Sequence, residues 1–528
     1  MKKILFLFLV GTLGFYLTSC DDDDTPPPSS VVSISGIPAT AEVQLGGTLS
    51  VPNVVLTATD GFATANAFTL SVDGGAAIDL SALIAGNSPQ TVTVSATTTD
   101  LGLSTLGNAT LVFTLTDANG ETDTFTHILS VVAETGAPTI IVSSNIDENT
   151  TWFTGNIYEL ATRVIVEPGA ALTIQPGVIV KGQFGDGANA TALIIARGAQ
   201  IFAEGTAAQP IIMTATADDI QPGEIVSPNL NATNSGLWGG FIVLGNAPIS
   251  EETNNGTDQI EGIPPDEGFA EYGGNDSDDN SGIIRYVSVR HGGAILGDGD
   301  EINGISLGGV GSGTTIEFIE VVGNLDDGIE WFGGNVDVTN AIVWAADDDA
   351  IDIDQAYSGT IDNVIVVAFP GTDHAFEIDG PEGTLAGSYT ITRASARGAD
   401  DEIANFRDGA TGSMNGAYFF NFVAPSFDTN GEEEGGTGEG DFRFSDDNTF
   451  TAYDADELTF SNLQITLADG TQDPMVGTAT IAEVFADFDM TDQDAVMNVA
   501  NGSQSQGADA SAFANWSFTA ASNALTGF

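Results

Sequence analysis

Four short segments concentrate side chains able to do chemistry: NLDDGIEWFGG (324–334), DDDAIDIDQA (347–356), TDHAFEIDG (372–380) and ADDEIANFRDG (399–409). Aligned on Asp326, Asp348, Asp373 and Asp400, they recur after 22, 25 and 27 residues, with Ile329, Ile351, Phe376 and Ile403 three positions on. Asp327, Asp349, His374 and Asp401 form a second column, and Glu330, Asp352 and Glu377 a third. Grouped carboxylates without a cysteine cluster offer oxygen ligands, the donor set of Ca2+ rather than of zinc. The expected cation ligands are Asp326, Asp348, Asp349, Asp373, Asp400 and Asp401. Aspartate at a turn also tolerates left-handed backbone and bonds to nearby N–H groups, so turn capping alone is an equal alternative.

Short apolar strands lie between these segments: IEFIEVV (316–322), TNAIVWA (339–345), DNVIVVA (362–368) and TITRASA (390–396). A period of 22 to 27 residues carrying two or three short strands is one coil of a β-solenoid. A leucine-rich repeat would need its leucine consensus, and a membrane barrel would need longer alternating strands. Coils stack with strands about 4.8 Å apart. Ile351 and Ile353 are then expected in the core, with Asp352 and Asp354 facing out.

Stacked carboxylates at that spacing repel by about 1 kcal/mol in water and about 3–4 kcal/mol at an effective dielectric constant near 20. Something must offset this: Ca2+, raised carboxyl pKa values, turn hydrogen bonds or arginines. Arg285, Arg290, Arg393, Arg397 and Arg407 all lie in or beside the repeats.

The chain has 528 residues, 64 of them glycine, and 74 Asp and Glu against 11 Lys and Arg, for a net charge of −63. That charge repels nucleic acid and anionic lipid, which excludes both as partners. Gly308-Gly309-Val310-Gly311-Ser312-Gly313 lacks the lysine of a phosphate loop, so no nucleotide is expected. Trp238, Trp331 and Trp344 are expected in the core rather than as sugar platforms. Arg290-His291 makes a poor metal site without a second nearby His or any Cys.

Residues 31–134 alternate apolar and polar in runs such as TLSVPNVVLTA, QTVTVSATT and ATLVFTLTD, broken by Asp73-Gly74-Gly75 and Asn119-Gly120. The pattern predicts an immunoglobulin-like β-sandwich serving as a stalk, with His127 structural. The solenoid is expected over 140–430. Last coils and a terminal cap are expected over 431–528, with a hairpin or a last coil at 458–470, a helix within 478–500 and the cap at 505–528. The fold class is thus all-β: a β-sandwich followed by a right-handed parallel β-helix.

The first twenty residues, MKKILFLFLVGTLGFYLTSC, have two lysines, an apolar run and a small-residue end, as signal peptides do. Leu17-Thr18-Ser19-Cys20 resembles the lipobox of bacterial lipoproteins, which implies signal removal (1–20) and lipidation of Cys20. Asp21 to Asp24 resemble the export signal of Bacteroidetes-type surface lipoproteins, and 21–30 read as an acidic, proline-rich tether. The implied location is the outer membrane, lipid-anchored and facing the exterior. LWGGFIVLGNAPIS (237–250) and GIIRYVSVRHGG (282–293) resemble β-helix lipoproteins of that group.

The four segments also resemble the motif order of polygalacturonase-type glycoside hydrolases, themselves right-handed β-helices. That resemblance implies Asp348 or Asp349 as general acid, Asp327 activating water, His374 orienting an acid and Arg407 holding a substrate carboxylate. The first motif carries an extra residue, the histidine lacks its flanking glycines and the last motif lacks its lysine. A pectate-lyase-like chemistry, with Ca2+ on the aspartates and an arginine base, is a variant. The leading expectation is a Ca2+-stabilised surface protein that binds a polysaccharide or an envelope protein. A polysaccharide hydrolase or lyase and an accessory subunit of an outer-membrane importer are the alternatives.

Overall fold

The computed structural model describes residues 30–132, 137–261, 263, 268–295, 301–399, 402–422, 441–466, 481–487, 496–500 and 502–528. Cys20, the signal, nearly all of the tether, Asp400 and Asp401 lie outside the described residues. The chain divides into two compact units, Met1–Thr135 and Gly136–Phe528.

In the first unit, strands Val32–Ser35, Thr48–Ala58 and Gln90–Thr97 form an antiparallel three-stranded sheet. A second sheet orders Thr40–Gln44, Thr122–Val132, Gly107–Thr116, Phe68–Val72 and Ile78–Asp79. Alternating side chains of both sheets, among them Val54, Leu56, Phe68, Phe113 and Leu115, share one apolar core. His127 is buried with Nδ1 2.7 Å from the Pro38 carbonyl, a structural role as expected.

The second unit is a parallel solenoid. One sheet stacks Val164–Val166, Leu193–Ile195, Phe241–Leu244, Ile305–Gly308, Ile329–Phe332, Ile351–Asp354, His374–Asp379, Glu402–Arg407 and Phe442–Phe444. The other contains the long strands Gly282–Arg290, Thr315–Asn324, Val338–Ala346, Thr360–Val367 and Tyr389–Arg397. Each long strand turns a corner at a left-handed residue, and these align as Tyr286, Phe318, Asn340, Asn363 and Arg393. Asparagine suits that conformation, and Asn363 Nδ2 donates to Asn340 Oδ1 at 2.6 Å. The two aromatic corners, costlier as left-handed residues, stack their rings at 4.4 Å.

Coils continue past 430. Leu458–Ser461 and Leu463–Thr466 pair in parallel with Gly412–Asn415 and Tyr418–Phe420, so this stretch is a coil and not a hairpin. The described α-helices here are short: Asp447–Asp454, capped by Asp446, Ile481–Val484 and Phe518–Ala521. The segment 505–528, expected from its place after the last coil to close the end, instead runs back along the flank. Asp509 N donates to Asn363 Oδ1 at 2.5 Å, Trp516 meets the Tyr286 and Phe318 rings edge-on, and Phe528 returns to Phe420. The physical reason lies on the outer face. Ile342, Ile365 and Val367 point away from the solenoid interior and need an apolar cover.

One carboxylate pins the strap. Glu320, fully buried, accepts from Phe518 N at 3.0 Å, Thr519 N at 2.8 Å and Thr519 Oγ1 at 2.7 Å, and sits 3.8 Å from Arg290 Nη2. Arg290 also lies over the Phe518 ring. Trp516→Ala is expected to destabilise the solenoid by about 3–5 kcal/mol. Glu320→Ala should cost a comparable amount, about 3–5 kcal/mol, by leaving Arg290 buried without its counter-ion. All five tryptophans lie in the second unit, so denaturant titration followed by tryptophan fluorescence reads this transition alone.

Candidate functional site

In-register pairing builds the acidic columns. Ile329 pairs with Ile351 and Trp331 with Ile353, and these residues fill the core. Alternation then places Ser306, Glu330, Asp352, Glu377, Asn405 and Arg443 in one line on the opposite face of the sheet. The turn columns form as well. Asp373 N bonds to the Asp348 carbonyl, Asp349 N to Asp327 Oδ1 at 2.9 Å, and His374 N to Asp349 Oδ1 at 2.8 Å. One oxygen of Asp327 and one of Asp349 therefore cap the next coil.

The fourth of the aligned segments slips by one residue from the sequence alignment. His374 faces Glu402 and Phe376 faces Ala404, not Ile403. The register there follows the core, where Phe406 sits opposite Ile378, and the preceding connection takes up the difference. Glu402, Asn405 and Arg443 were hidden from the sequence by that slip and by the long gap before 441.

The outward line is also not solvated. Glu330, Asp352 and Glu377 are each at least nine-tenths buried. Burial first, and neighbouring carboxylates second, push Asp327, Glu330 and Asp352 well above the ordinary carboxyl range. The same two causes raise Asp348 to about 6, Asp326 to about 7, Asp354 to about 8 and Glu377 to about 9. Burial pulls the His374 imidazole down, but the Asp349 and Glu402 carboxylates together outweigh it and hold it up at about 11.

Few cations answer these carboxylates. Arg407 reaches Glu377 at 2.7 Å and Asp379 at 2.6 Å, and Arg443 reaches Glu402 at 3.2 Å. His374 Nδ1 lies 2.7 Å from Asp349 Oδ1, and its Nε2 lies 3.1 Å from Glu402 Oε2. The other arginines of the block pair elsewhere: Arg285 with Glu317, Arg290 with Glu320 and Arg393 with Asp362, while Arg397 lies over Phe528. Arg290 and His291 are buried against the strap and the Asn234 carbonyl, away from the ladder's hydrogen bonds. Trp238 and Trp331 are core residues and Trp344 packs on Phe518.

Among the described residues, three sets of side chains bring one ligand atom each to within 4.8 Å of the others: Asp326, Asp327 and Asp348; Asp327, Glu330 and Asp352; and Asp349, His374 and Glu377. The first two are oxygen-only. Asp352 Oδ1 in the second is buried without a hydrogen-bond partner, as is Asn303 Oδ1, whose amide nitrogen bonds Glu330. Of the expected ligands, Asp326 and Asp348 come together, Asp349 turns toward His374, and Asp373 stands exposed at the rim. Of the residues matched to hydrolase roles, Asp327, Asp348, Asp349 and His374 share one neighbourhood. Arg407 is already engaged by Glu377 and Asp379.

A carboxyl whose folded pKa is raised takes up protons on folding, so its stabilising effect is greatest at low pH and lost as pH rises. A raised histidine acts in the same direction: its contribution is complete below its unfolded value and disappears as pH climbs through about 11. With divalent ions chelated, the melting temperature of the solenoid should fall steadily between pH 5 and pH 9, values that bracket Asp348 at about 6 and Glu377 at about 9. Glu377→Gln should flatten the upper end of that profile. A flat profile in the parent protein would contradict the buried ladder.

A family model described as a pectate-lyase-like β-helix domain matches residues 144–519. Among solved structures, the catalytic unit of a thermostable GH87 α-1,3-glucanase from Streptomyces thermodiastaticus aligns over 88% of this chain and 90% of its own, at 10% identity and a TM-score of 0.27. A family 28 exopolygalacturonase from Yersinia enterocolitica aligns over 85% of this chain and 88% of its own, at 12% identity and a TM-score of 0.18. No curated protein matches the chain in sequence. The family match spans most of the chain and coincides with the stacked parallel coils; the chain belongs to the pectate-lyase-like β-helix domain family.

Proposed function

We propose that the chain is a cell-surface β-helix lipoprotein that binds a polysaccharide or another envelope component and is stabilised by Ca2+. In this reading Cys20 carries the lipid that holds it to the outer membrane, facing outward. The 31–134 unit is an immunoglobulin-like spacer, and the solenoid is a right-handed helix. A solenoid offers the same position on successive coils, a row suited to an extended ligand.

The observation that carries the cation is the unpartnered Asp352 Oδ1, nine-tenths buried within the all-oxygen set of Asp327, Glu330 and Asp352. A divalent ion there would supply the missing partner and offset the repulsion along the column. The partly exposed set of Asp326, Asp327 and Asp348 is a second all-oxygen position, reached from the rim where Asp373 is exposed.

Binding is preferred to cleavage on one observation. Arg407, the residue that would grip a substrate carboxylate, is held by two protein carboxylates. One observation favours polysaccharide cleavage as a second reading: Asp348 lies at the rim, reachable from solvent yet partly desolvated by its neighbours, with its carboxyl raised to about 6, suited to a general acid.

Calorimetric titration of the chelator-stripped protein should show Ca2+ uptake, with stabilisation of about 2.7 kcal/mol at 100-fold excess over Kd. Asp352→Asn should weaken it. Glycan arrays should show binding, while reducing-end and unsaturated-product assays stay silent. Turnover that disappears in Asp348→Asn would decide for the enzyme instead.

A further inference from the structure

The third ligand set differs in chemistry from the other two. We propose that Asp349, His374 and Glu377 form a separate site for a borderline divalent ion of the Mn2+ or Zn2+ class, bound through one imidazole nitrogen and two carboxylate oxygens. His374 Nδ1 lies 2.7 Å from Asp349 Oδ1 and 3.5 Å from Glu377 Oε1, and all three residues are more than nine-tenths buried. Metal–ligand bonds of about 2.0–2.2 Å place neighbouring ligand atoms about 3–3.5 Å apart. One of these gaps already fits, and the other needs to open by only a few tenths of an ångström.

Each ligand is aimed by an outer partner. Arg407 Nη2 holds Glu377 Oε2 at 2.7 Å and leaves Oε1 facing the histidine. The backbone N–H of His374 holds Asp349 Oδ1 at 2.8 Å. On the far side of the ring, Glu402 Oε2 stands 3.1 Å from Nε2, while Arg443 holds the other oxygen, Oε1, at 3.2 Å. A carboxylate against Nε2 keeps the proton there and presents the Nδ1 lone pair to an ion. A nitrogen donor distinguishes this set from the all-oxygen positions and shifts its preference from Ca2+ toward borderline ions.

The competing arrangement is a charged imidazolium shared between Asp349 and Glu402. That arrangement explains both ring nitrogens and leaves Glu377 Oε1, buried without a hydrogen bond, to be satisfied only by a proton carried on the raised Glu377 carboxyl toward Asp349. A metal ion bound by all three explains the orphaned oxygen as its third ligand. The site is independent of whether the protein binds a glycan.

The full chain, stripped by chelator, is loaded with Mn2+ while excess Ca2+ fills the all-oxygen positions, and the bound Mn2+ is read by pulsed electron paramagnetic resonance. One equivalent of Mn2+ coupled to a single imidazole nitrogen is expected. The coupling should vanish in His374→Gln, and Glu402→Gln should weaken binding by roughly 10–100-fold. The chain has three histidines, so nitrogen coupling that persists in His374→Gln would move the ion elsewhere and overturn the proposal. Failure to retain Mn2+, or retention without nitrogen coupling in the unsubstituted protein, would overturn it equally, and neither result depends on a variant folding.

Discussion

In-register parallel stacking governs this molecule. Every coil lays its residues over those of the coil before it at about 4.8 Å, so each property of a side chain is multiplied along a column. For Ile329, Ile351 and Phe376 the multiplication is favourable, because it produces a continuous core. For Glu330, Asp352 and Glu377 it builds a line of like charge that burial makes more costly still. The acidic columns and the core are two outcomes of one geometric rule.

The fold answers the charge in several ways at once. Asp327 and Asp349 each spend an oxygen on the next coil's amide, which makes capping a real part of their role. Arg407, Arg443 and His374 neutralise the later coils. Asp352 Oδ1 and Glu377 Oε1 remain without a geometric hydrogen bond. Capping and cation binding, alternatives when read from residue types, are therefore compatible, because a carboxylate has two oxygens and the backbone uses only one of them.

How far the chain is legible follows from the range of each interaction. The solenoid shows in the sequence because coil-to-coil pairing repeats at 22 to 27 residues and leaves a periodic trace in Asp326, Asp348 and Asp373. The strap does not, because its partners are far away: Thr519 bonds Glu320, and Asp509 bonds Asn363. Its place after the last coil reads as a lid for the apolar face that a solenoid end exposes, whereas Tyr286, Phe318 and Ile342 on the flank were what needed covering. Burial of Glu330 and Asp352 was equally hidden, since alternation says only that a side chain leaves the core, not what lies above it.

Residue order by itself determined the repeat, the core alternation and the stacking of aspartates, since these depend on local period and on the fixed rise between coils. Tertiary structure alone decided which oxygens are orphaned, that Glu402 rather than Asp401 faces His374, and that most of the arginines serve other carboxylates. The reason is physical. Period survives in the chain as spacing, but a charge's partner is whatever folding brings within a few ångströms, and turns of unequal length erase that information.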